Sequence, residues 1–403
     1  MVKKGTRKPE LVVFAENCIG GVQSFYHNLL THDKAEKFEK KWILADHEWN
    51  DNPRRISGSG FNNEVIFPVP GNEPILKTAA RLQKLISNKP GVVVLNFETE
   101  MATLDLYRRP NKAYVAVCHD AFFIPLIEKY SFLLDAIIAH NPFFYEDLKE
   151  RLPERKEDIY YLPYGIKLPD TRRSVNEDRK LKLIYIARLQ KKKGVFDIPL
   201  INQALRGMGI EVEWTIAGDG PEKNALIEQC KGFSNFSFVV PATTEEMYSI
   251  VSKHDIFILP SYLDGMPVSL METMGCGLVP LLSEFNEGIA KIITPDLGFI
   301  LPKGDIAGFA SAIAALDKDR NQLEALSESC LEKAQQDFDV IKRSQQYYNL
   351  FSRFSEIRKI KADSKIVYGK RIDYPSFPKI LRILIKLPGY LRYWLKRPQT
   401  IVR

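Results

Sequence analysis

The stretch "LPYGIKLPDTRRSVNEDRK", Leu162–Lys180, runs directly into "LKLIYIAR", Leu181–Arg188. The first is Pro, Gly and charge with no apolar period, the composition of a linker; the second is a short apolar, β-rich run ending in a cation, the form of a buried strand. Before it, seven such runs alternate with longer amphipathic segments: "ELVVFAE", "KWILAD", "EVIFPV", "GVVVLNFE", "AYVAVCHD", "AIIAHN" and "IYYLPYG". After it the alternation restarts through "LKLIYIAR", "VEWTIAGDG", "FSFVV", "DIFILPS", "LVPLLS" and "GFILP". Strand and helix taking turns is the pattern of βαβ units on a parallel sheet. The spacing therefore predicts an α/β protein of two doubly wound, Rossmann-like domains facing a cleft, residues 1–165 and 181–338, joined by a linker at 166–180. A long closing helix is expected at 339–361 and a basic amphipathic tail at 362–403.

With 403 residues, 45% hydrophobic and 27% charged, the chain is long enough for two cores and has the balance of a globular protein. The run Leu11–Ala15 is too short for a secretion signal and reads as the first strand, so the expected location is the cytoplasm. Cys18, Cys118, Cys230, Cys276 and Cys330 are scattered without CxxC spacing, which argues against both a disulfide framework and a zinc site. The net charge of +7 is a property of the tail: residues 369–403 carry nine Lys or Arg against Asp373, a net of +8, which leaves the first 368 residues at −1. A near-neutral body lacks the basic patch a nucleic-acid binder needs. The tail segment "FPKILRILIKLPGYLRYWLKRP" sets Lys379, Arg382 and Lys386 on one helical face with Ile and Leu over much of the rest, a pattern suited to an anionic membrane interface. Its competing reading is a helix packed on the first domain.

Two open α/β domains bind ligands in the crevice at the carboxyl ends of their strands, so the strand-to-helix loops carry the chemistry. In "PSYLDGMPVSLMETMGCG", Pro260–Gly277, Pro267 opens a helix after a Gly-containing loop. The free N–H groups near Gly265, Met266 and Val268 then form a place for an anion such as a diphosphate. Asp264 lies on the approach and Glu272 inside the helix, so the two carboxylates bracket one ligand: a carboxylate accepts hydroxyl hydrogen bonds and supports positive charge developing at an anomeric carbon. Leu270, Met271, Met274 and the small residues Gly275–Gly277 make Glu272 a poor solvated-face residue. Upstream, Arg188 and Lys193 sit at a strand's carboxyl end, a fork and a point charge that suit a diphosphate, although Lys191 and Lys192 read as solvated. Gly20-Gly21 after the first strand permits close backbone approach to phosphate or sugar; it is not GxGxxG, so nicotinamide and flavin are not supported. His119, at the end of the fifth strand, suits a sugar contact or proton transfer, against the commoner structural role of a lone histidine.

In this order, the Gly-Gly loop, the "HD" pair, "ARLQKKKG", "AGDGP" and "PSYLDGMPVSLMETMGCG" resemble the retaining glycosyltransferases of family four, the glycogen synthase-like clan with the GT-B fold, over roughly residues 9–355. The resemblance implies a nucleotide-diphosphate sugar as co-substrate, no further cofactor and no metal, and transfer with retention to a glycan or lipid-linked acceptor in bacterial polysaccharide, lipopolysaccharide or glycolipid assembly. By it, Arg188 and Lys193 hold the diphosphate, Glu272 the ribose, the backbone at Gly265, Met266 and Val268 phosphate or sugar, Gly21 approaches from the other domain, and His119 meets the donor sugar. The chain departs from the family at Asp264 (usually Glu), Ala187 (usually Gly), Tyr164 (usually Asn) and "EFNEGIAKII", which replaces a glycine-rich loop. A nucleotide-sugar-binding protein of the same fold that has lost transfer is the alternative, with Asp264 as its sign. A GT-B epimerase or phosphorylase fits less well, since no pyridoxal-binding signature is present.

Overall fold

A computed structural model describes residues 8–18, 20–48, 61–101, 108–174 and 180–359. The expected basic tail, with its membrane role, lies outside the described residues.

Each predicted apolar run becomes a strand. The first sheet holds β1 (Glu10–Glu16), β2 (Glu39–His47), β3 (Glu64–Val69), β4 (Gly91–Leu95), β5 (Lys112–Cys118), β6 (Ala136–Ala139) and β7 (Ile159–Tyr161). All pairs are parallel, in the order β3-β2-β1-β4-β5-β6-β7. The second holds β8 (Leu181–Ile186), β9 (Val212–Ala217), β10 (Phe236–Val239), β11 (Ile256–Leu259), β12 (Val279–Ser283) and β13 (Phe299–Leu301), parallel in the order β10-β9-β8-β11-β12-β13. Because helices cover both faces, the central strands are buried throughout: β4, β5, β6, β11 and β12 have no exposed residue, which is why they read as continuous Val, Ile, Leu and Ala.

Strand order reverses between β1 and β4 in the first sheet and between β8 and β11 in the second. Such switch points open the crevice in which α/β proteins bind ligands. The Gly20-Gly21 loop follows β1, Arg188 follows β8, and the Asp264 loop follows β11, so the candidate residues stand at the two switch points.

The expected linker is held down along its described part. Ile166 forms a bridge with Asp339, the Tyr248 hydroxyl donates to Lys167 O at 2.8 Å, and buried Arg173 reaches Asp255 at 2.8 Å and Ser327 Oγ at 2.9 Å. After the second domain the chain returns to the first. Asp339 caps the Val340–Ser352 helix by accepting from Ile341 N at 2.7 Å, and a short helix, Phe354–Ile357, follows a break at Arg353 (φ −90°, ψ 20°). The closing element is therefore two pieces where the sequence suggests one. Tyr347, Tyr348 and Phe351 bury themselves against the first domain, with the Tyr348 hydroxyl on Leu29 O at 3.0 Å.

Candidate donor site

The Val268–Gly275 helix begins after Pro267, whose side chain cannot accept a hydrogen bond from the first turn, and no side chain caps it. Its first amide groups are thus left for a ligand, with the positive end of the helix dipole behind them. Across the cleft stands the Gly20-Gly21 loop: a Cβ placed on Gly21 would lie 3.2 Å from Val268 Cγ2. Glycine there lets the start of the Gly21–Thr31 helix approach the start of the Val268–Gly275 helix.

Lys193 Nζ pairs with Asp264 Oδ2 at 2.5 Å and reaches Leu263 O at 3.4 Å. Gly194 makes this possible. It adopts φ +71°, and a Cβ there would fall 1.8 Å from Pro260 O, so the basic loop can lie against the end of β11 only without a side chain. Asp264 also accepts from Gly265 N at 2.9 Å through its other oxygen, which leaves the carboxylate shared between the lysine and its own loop. Arg188 is exposed just after β8, and its guanidinium makes no hydrogen bond or ion pair among the described residues.

Glu272 is half-buried, and its carboxylate has no hydrogen bond or ion pair among the described residues; burial raises its pKa to about 7. A desolvated acid without a partner is held for something that brings hydroxyl donors. Asp264 and Glu272 both raise the acidity barrier of Tyr164, after its burial, so the two carboxylates and this tyrosine share one neighbourhood.

His119 is 9% exposed, with Nε2 at 3.0 Å from Asn96 Oδ1 and 3.2 Å from the Tyr26 hydroxyl and Nδ1 at 3.0 Å from His140 Nε2. Both ring nitrogens are therefore engaged within the protein, and what His119 presents to the cleft is backbone. A Cβ on Gly265 would lie 2.5 Å from His119 O and 2.8 Å from Asp120 Cβ, so the end of β5 packs directly on the donor loop. Asp120 is held up in pKa by burial, then by Asp264, and down by Lys193 and Lys192, which places it at the same loop.

Two groups on the donor loop escaped the sequence reading. Asn286 Nδ2 donates to Asp264 O at 3.0 Å and Gly265 O at 2.8 Å, while its Oδ1 accepts from Gly288 N and Ile289 N. One amide thus fixes the loop that carries Asp264. The Tyr164 hydroxyl donates to Met266 O at 2.8 Å from the other side. Tyr164 was visible as a departure from the family pattern and Asn286 as part of an unusual loop; nothing in either residue type announces its partner. Behind them, at the hinge, a cavity of about 90 Å³ is lined by His140, Tyr164, Met266, Met271, Lys291 and Arg343 among others, room for a few waters and too small for a nucleotide sugar. Lys193, Asp264 and Glu272 are not among its lining residues.

Residues 169–333 match the family described as glycosyl transferases group 1. Among curated relatives, WcaL of Escherichia coli (strain K12), whose name assigns it provisionally to colanic acid biosynthesis as a glycosyltransferase, is 28% identical over 190 residues, covering 44% of this chain and 45% of that protein. The amylovoran biosynthesis glycosyltransferase AmsK of Erwinia amylovora is 30% identical over 153 residues, 34% of this chain and 36% of AmsK. The chain spans less than half the length of these two relatives. Among solved structures, the pneumococcal O-GlcNAc transferase GtfA in complex with UDP and GlcNAc superposes with a TM-score of 0.71 at 14% identity, covering 87% of this chain and all of that one. HepE of Anabaena in complex with UDP and glucose gives 0.69 at 14%, covering 85% and 99%. The chain has the GT-B fold, and its match to the group 1 glycosyl transferases falls on the second domain.

Proposed function

We propose that the protein is a retaining glycosyltransferase that moves a sugar from a nucleotide-diphosphate donor to an acceptor hydroxyl in the assembly of a bacterial surface polysaccharide, lipopolysaccharide or glycolipid. The observation that carries this reading is the juxtaposition on the second domain of an uncapped helix start that meets the Gly21 loop of the other domain, Lys193 beside Asp264, and a Glu272 carboxylate without a partner among the described residues. The names of the relatives point to the polysaccharide setting.

In this reading the diphosphate lies over the Val268–Gly275 helix start, with Arg188 and Lys193 matching its charge, a set of positive groups that serves in place of a metal. Lys193 turns from Asp264 towards the phosphate when the donor enters, and Asp264 keeps it within reach in the empty site. Glu272 accepts the ribose hydroxyls, which favours its ionised form. The acceptor oxygen attacks the anomeric carbon on the face from which the phosphate leaves. The carbon–oxygen bond to the diphosphate breaks with its electron pair going to the diphosphate, and the acceptor's proton passes to a phosphate oxygen.

The test is calorimetric titration with a panel of nucleoside diphosphates, UDP first because both structural neighbours above hold it. One base is expected to bind selectively, with affinity falling at least tenfold in both Lys193→Ala and Glu272→Ala. Equal affinity in the folded variants would remove the site assignment.

A further inference from the structure

Five side chains and two carbonyls form one buried polar chain from β1 to the closing helix. Asn96 Nδ2 donates to Phe14 O, which turns Asn96 Oδ1 towards the Tyr26 hydroxyl and His119 Nε2. His119 Nδ1 meets His140 Nε2 at 3.0 Å. His140 Nδ1 lies 2.8 Å from the Tyr347 hydroxyl and 3.1 Å from Leu162 O, and Tyr347 in turn donates to Leu162 O.

The protons can be counted. At the Asn96 corner, Oδ1 only accepts, so Tyr26 must supply its O–H and His119 an N–H on Nε2; otherwise lone pairs face each other. At the Leu162 corner the carbonyl only accepts, so full bonding there takes the Tyr347 O–H and an N–H on His140 Nδ1; with fewer protons Tyr347 gives its O–H to Nδ1 instead and the carbonyl goes short. Between the rings one further proton is needed on Nδ1 or Nε2. That is five protons, whereas two tyrosines and two neutral imidazoles carry four. With both rings neutral, one link is always short, and buried groups left facing each other unpaired are costly. One added proton completes every link.

We propose that His119 and His140 form a single buried proton-binding site, which takes up one shared proton across the Nδ1···Nε2 contact and thereby locks His140 and Tyr347 onto the Leu162 carbonyl at the hinge. Burial opposes the charge: it pushes His140 down to about 4 and His119 well below its ordinary value, so in the empty protein the fifth proton is missing at neutral pH. Negative charge near the rings brings it in. The charged and titratable groups around the pair are Glu100 behind Tyr26, Asp120 next in the chain, the tyrosines Tyr26, Tyr164 and Tyr347, and, across the hinge cavity that His140 lines, Lys291, Lys333, Arg343 and Asp337. A diphosphate in the cleft would be a physiological source of that negative charge; this clause alone rests on the proposed function.

The experiment is long-range proton–nitrogen correlation spectroscopy of the full chain labelled with ¹⁵N-histidine, in wild type and Asn96→Asp. The aspartate keeps both acceptor contacts and adds the counter-charge, and gives up the hydrogen bond from Asn96 Nδ2 to Phe14 O. In Asn96→Asp both rings are expected to titrate together, with one midpoint at least one pH unit above wild type, a tenfold gain in proton affinity, and, below that midpoint, protons on both outer nitrogens and one between the rings. Charging of His119 alone, with His140 unmoved, would mean a simple ion pair and overturn the proposal. Should the variant not fold, wild type decides on acidification: His119 and His140 are expected to titrate with one common midpoint as a single proton is taken up, and separate midpoints for the two rings overturn the shared site.

Discussion

The two walls of the cleft are built on opposite plans. On the second domain the polar groups stand on loops and on the Val268–Gly275 helix, half-exposed or exposed, with the Glu272 carboxylate unpaired among the described residues and Lys193 held by a single acid. On the first domain the polar groups behind the wall are buried and tied to one another from Phe14 to Leu162, and what reaches the loop of the second domain is the His119 carbonyl, Asp120 and the Tyr164 hydroxyl. One wall keeps its hydrogen-bonding capacity for a ligand; the other spends it on holding its own shape. On the proposed function, substrate contacts fall mostly on the second domain, and changes to the buried groups of the first should act through position.

The largest expected effect tests how much the ligand-facing wall depends on one turn. Gly194→Ala forces a side chain into the left-handed region and against the Pro260 carbonyl, and should lower stability by about 3 kcal/mol or more, measured by denaturant unfolding. A loss below about 1 kcal/mol would mean that the basic loop is free to move, and the two walls would be less different than described.

Next comes pH. Burial raises the Glu272 pKa to about 7, so the folded protein holds a proton there that the unfolded chain, with its ordinary carboxylate, releases near 4.5. The stability this proton represents is present below the unfolded pKa and is lost as pH rises through about 7. Glu272→Gln should therefore be more stable than wild type by about 2 kcal/mol at pH 8, and close to it at pH 4.5, in thermal melts across that range. Glu16 and Glu100, also raised to about 7 by burial, would supply the slope that remains in the variant. An identical pH slope in variant and wild type would show Glu272 to be well solvated, against its proposed role.

The smallest effect separates the walls most cleanly. Asn286→Ala removes two hydrogen bonds to the donor loop and should weaken nucleotide binding by about tenfold, roughly 1.4 kcal/mol. The histidine spectra of the first domain should not change. Altered His119 or His140 signals would mean that the walls communicate through the loop.

The same contrast explains what could be read from the sequence. Strands of a parallel sheet covered on both faces are continuous apolar runs, so "GVVVL" and "AIIA" declare themselves locally, and the loops after β8 and β11 fall where the strands end. Arg188, Lys193, Asp264 and Glu272 stand out as candidates because a phosphate site would need charged residues and glycine within a few positions of a helix start. The buried chain gives no such signal: Tyr26 and Asn96 are 70 positions apart, and His140 and Tyr347 are 207 apart. A polar pair at the end of a buried strand, His119-Asp120 after β5 or His140-Asn141 after β6, is the one local hint, and it does not say which partner answers. Asn286 is hidden for a related reason: its bonds go to backbone carbonyls, which every residue possesses.

The return of the chain to its first domain has a consequence for biosynthesis. The surface of the first domain around Phe25, Tyr26 and Leu29 is closed by Tyr347, Tyr348 and Phe351, each such side chain contributing about 1.5–3 kcal/mol on burial. At translation speeds of roughly 5–20 residues per second, the β7 strand leaves the ribosome roughly 10–40 s before that helix does. During this interval the earliest-made domain has an aromatic face with nothing on it, and the proton chain that ends at Tyr347 is open. The domain synthesised first is thus the last to be finished, and the cell must shelter it while the other is made.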